Sequence, residues 1–317
     1  MELPNEDAIR WIVRRYAELR AAHGDVIGAP ELIEPSGRHF PDEFKKDAPS
    51  VARLLRRMMS YAPLAEDLEI QLAFLEPEEQ ASGGGCGTAA CGTGAQSGVA
   101  AAHDGVAEMD EGYRVDVKVS DVANPMILTT SLARSVGALV LAEAGEDIDA
   151  RSSGSRATSE IAATVCGFGV LLVSGAAVYT KACGGLRMHT ATSLPLEDLS
   201  VALALFVRVH EHKPSAARAH LETTQREAFD EAMRWVDSNE AIVTALRDRP
   251  EDLTDGLFTI EPVRGLIGRL FARKRGYDVP ADLPRSPVAS RKPERTEAEA
   301  RRIAEARALV EEALRGD

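Results

Sequence analysis

Apolar residues recur every three or four positions along much of the chain, the period of helices with one buried face. Residues 5–22 form the first such stretch. Residues 48–62 form a second, with Val51, Leu54, Leu55, Met58 and Met59 on one side. Between them "PSGRHFPDEF" (35–44) is broken by prolines and predicts a loop, with Asp42 and Glu43 as turn or cap residues. The period then changes to two. In "LEIQLAFLE" (68–76), Ile70, Leu72 and Phe74 alternate with Glu69, Gln71 and Ala73. In "YRVDVKVS" (113–120), Val115, Val117 and Val119 alternate with Arg114, Asp116 and Lys118. Both read as strands. They are expected to pair across "SGGGCGTAACGTGAQSG" (82–98), which holds seven glycines in seventeen residues and reads as a hairpin excursion.

Helical spacing returns over 126–144. A polar loop, "EAGEDIDARSSGSR", follows, and then an apolar helix over 157–181. From "LPLEDLSVALALFVRVHE" (194–211) onward the pattern is mostly helical, continuing through 226–238 and 261–275. Residues 278–295 carry four prolines and read as an extended linker. Residues 296–317 form a charged helix, with Thr296 as N-cap and Glu299 three positions later. These elements predict a helix-rich α+β protein: a small β-sheet packed on helices over 1–192, a helical region (193–277) packed on it, then the linker and terminal helix.

At 317 residues with 44% hydrophobic positions the chain can bury a substantial core, built from Ala, Val, Leu and Ile because aromatics are only 5%. A formal net charge of −13 argues against a general nucleic-acid partner. The basic clusters "FKKDAPSVARLLRR" and "RLFARKRGY" read as solvated helix faces. The N-terminal segment is charged and amphipathic and has no apolar signal region. Four cysteines, Cys86, Cys91, Cys166 and Cys183, do not form a disulfide framework in a chain of this length. A cytoplasmic location is expected. The uncharged run Ile161–Thr180 is long enough for a bilayer. Its Ala, Gly, Thr and Ser content and the lack of an aromatic belt predict a buried helix instead, and no membrane partner.

The order strand, strand, helix, polar loop, buried helix, together with "FPDEF" (40–44), "CGTAACG" (86–92), "LARSVGALVL" (132–141), "CGFGVLL" (166–172) and "LPLEDLSVALALF" (194–206), resembles zincin-like metallopeptidase domains, most of all a bacterial group of that type. The resemblance covers about half of the chain and implies a zincin-like fold. In such enzymes one helix carries His-Glu-x-x-His: two histidines one turn apart bind zinc, and the glutamate deprotonates the metal-bound water. Laid onto "LARSVGA", the first His position falls on Arg134, the Glu position on Ser135 and the second His position on Ala138. Arginine stays protonated and cannot ligate a cation. Serine is no base at neutral pH, and alanine offers no ligand atom.

The resemblance places a third ligand on the following helix, where Glu160 is the nearest acid. Two arrangements are open. Arg134 could put its guanidinium where the metal would lie and pair bidentately with Glu160. Alternatively Arg134 reaches into a solvent-filled cleft, and Glu160 is a charge at a helix start.

Other candidates are weaker. Cys86 and Cys91 with His103 supply three of the four ligands a structural zinc site normally uses. The glycine-rich stretch lacks a phosphate-binding GxxxxGK[ST] pattern. "HEH" at 210–212 puts its histidines on different helix faces. Cys166 reads as a buried small hydrophobe. Cys183 and His189 form a conceivable nucleophilic pair. The expected function is therefore that of a catalytically degenerate metallopeptidase-like protein, a pseudoenzyme in binding or scaffolding. It would use no cofactor, bind another protein, and oligomerise if at all through the C-terminal helix. The alternatives are an enzyme of different chemistry using Cys86, Cys91, His103 or His189, with zinc as possible cofactor, and a helical interaction module.

Overall fold

The computed structural model describes residues 2–75, 105–146, 148, 152–182 and 185–263. The glycine-rich stretch, Cys86, Cys91, His103, Cys183, the proline-rich linker and the C-terminal helix lie outside the described residues.

Helix α1 (Glu6–Ile27) starts where the Asn5 side chain accepts the Ala8 N–H and ends at Gly28, whose φ of 61° only glycine adopts readily. Its inner face, Ile9, Ile12, Val13, Tyr16 and Leu19, is buried. Helix α2 (Ala48–Met59) is capped by Asp47, not by Asp42 or Glu43. Asp42 instead pairs with Arg57 at 3.1 Å. The cap hydrogen bonds of Ser50 hold the exposed Asp47 carboxyl below its ordinary pKa.

Three strands form the sheet: β1 (Ile70–Leu75), β2 (Val106–Glu108) and β3 (Tyr113–Lys118), in the order β1-β3-β2. The two strands read from the sequence do pair, but in parallel, with Ile70 opposite Tyr113 and Leu75 opposite Lys118. The hairpin is made by β2 and β3, turning at Gly112 with φ of 74°. A short helix α3 (Val119–Val122) follows, so the strand ends before Val119.

Helix α4 (Pro125–Glu143) begins with proline in its first turn, and the Asn124 side chain accepts from Met126 and Ile127. It is buried on nearly all sides from Leu128 to Leu141. The predicted helix over 157–181 starts earlier and is broken. Helix α5 (Ser153–Ala163) is capped by Ser152 and leads through a widened turn, Thr164–Phe168, into α6 (Gly169–Ala176). Gly167 sits in that turn at φ of 101°, and its carbonyl accepts the Ile33 N–H at 3.0 Å. A side chain there would put its Cβ 2.0 Å from the Glu31 carbonyl. The end of the predicted helix is instead a hairpin, β4 (Val178–Ala182) and β5 (Gly185–His189).

The remaining helices are α7 (Leu196–Val209), α8 (Pro214–Ala219), α9 (Thr223–Ser238) and α10 (Glu240–Asp248). Helix α7 is the centre of the core, with every residue from Leu199 to Val207 buried. It packs on α6, α9 and α1. The buried Gln225 side chain on α9 donates to the carbonyls of Ser174 and Ala177 and so satisfies the end of α6. The described part is thus helix-rich α+β with a small mixed sheet. Two helical runs, Pro125–Glu143 and Ser153–Ala176, are long and apolar enough to cross a membrane. Here 72% and 100% of their most apolar windows are covered by the protein itself.

Burial raises the Asp198 carboxyl, in the first turn of α7, to about 6, with Glu197 adding to the shift. The folded state therefore holds this proton more tightly than the unfolded chain. The resulting stability is fully present below roughly pH 4, where the unfolded group titrates, and is lost as pH rises through about 6. Asp198→Asn should gain thermal stability relative to wild type as pH is raised across that window. A difference in Tm that stays constant from pH 4 to 7 would refute the assignment.

Candidate functional site

The site is built on the crossing of α4 and α5. Gly137 permits it: a Cβ at this position would lie 2.0 Å from the Ser159 carbonyl oxygen and 2.7 Å from the Ala163 nitrogen. With no side chain between them, the two backbones touch. One turn from that contact, Arg134 on α4 meets Glu160 on α5. Arg134 Nη1 lies 3.5 Å from Glu160 Oε1, and both residues are buried, at 6% and 0% exposure.

The pair does more than neutralise itself. Arg134 Nη1 donates to the Ala191 carbonyl at 2.8 Å. Glu160 Oε1 accepts the Ser193 N–H at 2.7 Å, and Oε2 accepts the Leu194 N–H at 2.8 Å. One buried ion pair therefore fixes the loop that leads into α7. The geometry is not the bidentate pairing that the sequence permits, because Glu160 turns an oxygen to each backbone amide. Nor is Glu160 a charge at a helix start. It lies in the third turn of α5, since Ser152, not a residue near 157, caps that helix. Burial raises the Glu160 carboxyl above its ordinary pKa, against the opposing pull of Arg134 and the two amides.

Above the pair, Arg134, Ser135 and Ala138 line one recess, together with Gly105, Val106, Ile148, Ser155, Arg156 and Ser159. The three positions onto which the resemblance lays His-Glu-x-x-His share one concave surface. Its free space is about 20 Å³, room for a single water. Ser135 Oγ donates to the Ser131 carbonyl and Ser159 Oγ to the Ser155 carbonyl, so both hydroxyl protons are taken by their own helices. Ser155 and Arg156 fall in the segment that reads as polar loop. The signal that could have moved them onto the helix is Ser152 as an N-cap ahead of the apolar spacing.

The other candidates among the described residues do not join this site. His189 is exposed on β5. His210 lies tilted against Phe206 and His212 stacks on it, with ring centroids 4.8 and 5.3 Å away. Burial lowers the His210 pKa to about 4. Cys166 is buried, and its thiol is pushed up to about 12. Among the described residues no three His, Cys, Asp or Glu side chains converge. Comparisons of the chain with protein families, curated proteins and solved structures find no match.

Proposed function

We propose that the chain is a zincin-like, metallopeptidase-related scaffold without a hydrolytic centre, a pseudoenzyme that binds another molecule at the recess over α4. The observation that carries the reading is the meeting of Arg134 and Glu160 at 3.5 Å. The resemblance assigns these two positions to a first and a third metal ligand, and they do lie side by side. A fixed positive charge in place of a histidine repels a cation, and its counter-charge is already engaged by two backbone amides. Ser135 and Ala138, the remaining motif positions, border the same recess and supply neither base nor ligand.

The reading is tested by putting the motif back. The triple substitution Arg134→His, Ser135→Glu, Ala138→His should acquire about one zinc per chain, the stoichiometry of a single closed site, while untagged wild type carries none. Inductively coupled plasma mass spectrometry reads both, with circular dichroism confirming the fold. A folded triple variant that takes up no zinc, or wild type with stoichiometric zinc, would count against the proposal.

A further inference from the structure

We propose that the recess over α4 is a receptor for a single carboxylate, presented by an acidic side chain or a chain terminus of a partner, with Arg156 as its principal anchor. Arg156 lines the recess from the first turn of α5. Its Nε is buried and has no hydrogen-bond partner, and among the described residues no carboxylate pairs with the side chain. A guanidinium edge in this state lacks the planar acceptor that matches its fork. Leaving a buried donor unpaired is costly, so an arriving carboxylate is rewarded for filling it.

The walls fit the same ligand. Among the described residues no acidic side chain lines the recess. The Arg134 charge is offset by Glu160 beneath it, and among the described residues no counter-charge stands beside Arg156. Ser155, beside Arg156, donates its hydroxyl to no described group, in contrast to Ser135 and Ser159. Arg156 and Ser155 are thus two donor residues lining one recess. The free space of about 20 Å³ suits one oxygen at the end of a flat group better than a tetrahedral oxyanion such as phosphate. This inference rests on the recess being the binding surface of the proposed scaffold. It does not need the zincin resemblance, because Arg156 belongs to none of the segments that carry it.

The test uses the full-length chain labelled with ¹⁵N, titrated with sodium acetate at constant ionic strength. The arginine Nε–Hε resonances are followed, and that of Arg156 is identified by its loss in Arg156→Gln. Arg156→Lys, which also lacks the Nε–H, serves if Arg156→Gln does not fold. A saturable shift of the Arg156 resonance, with half-saturation in the millimolar range and absent with sodium chloride, is expected. No shift, or a drift shared by other exposed arginines, overturns the proposal. Tighter response to inorganic phosphate than to acetate overturns the carboxylate assignment. Because Arg156→Gln leaves Arg134 and Glu160 in place, failure here is separable from failure of the zinc test.

Discussion

Glu160→Ala should destabilise the protein by about 3–5 kcal/mol, the range for removing one member of a buried ion pair. It should cost more than Arg134→Ala. The asymmetry follows from the hydrogen bonds. Without Glu160 the buried guanidinium loses the carboxylate 3.5 Å away, and the Ser193 and Leu194 amides lose their acceptor. Without Arg134 the carboxylate keeps both amides, and the Ala191 carbonyl is left short of a donor. Urea unfolding of the single and double variants measures this directly. The double variant should cost less than the sum of the singles, because neither then leaves a lone buried charge. If Glu160→Ala changes stability by less than about 0.5 kcal/mol, the scale of an ordinary surface substitution, the loop into α7 is not held by this pair.

The second large effect is expected from a single methyl group. Gly137→Ala places a Cβ against the backbone oxygen of Ser159 and the nitrogen of Ala163. Backbone atoms cannot swing away as side chains do, so α5 must shift as a unit. Overpacking of this kind costs typically about 1–3 kcal/mol, occasionally more. The shift would also draw Glu160 away from Arg134, so Gly137→Ala and Arg134→Ala should be strongly non-additive. Gly24→Ala is the contrast. That glycine lies inside α1 with nothing closer than 4.0 Å to a new Cβ, and the change should stabilise by up to about 1 kcal/mol. Equal effects from the two substitutions would mean that the α4–α5 contact is looser than described.

The sequence was most legible where the apolar period is regular. Helical spacing over 126–144 announces α4, and the alternation of Val115 and Val117 announces β3. Strand direction was not legible, because it depends on the path between the strands and not on the pattern within them. The apolar run after Glu160 reads as one helix, since periodicity cannot register that Gly167 turns left-handed to receive the segment around Ile33. Val178–Ala182 was absorbed into the same helix because a strand end and a buried helix end share their composition. At the site, the pairing of Arg134 with Glu160 was one of two open arrangements. What no spacing rule could supply is that Glu160 serves Ser193 and Leu194, whose amides come from a distant loop. Arg156 was missed for a plainer reason: a run of serines and charges looks like solvent-facing loop until the cap at Ser152 is recognised.

The hydrogen bond from the Ile33 amide to the Gly167 carbonyl has a bearing on cooperativity. Residues around Ile33 belong to no helix or strand, yet this amide is sealed against the most buried segment of the chain. Solvent can reach it only if the turn at Gly167 opens, and that turn joins two helices packed on α4 and α7. In the language of local and global opening, a loop amide here is a member of the same unfolding unit as the core.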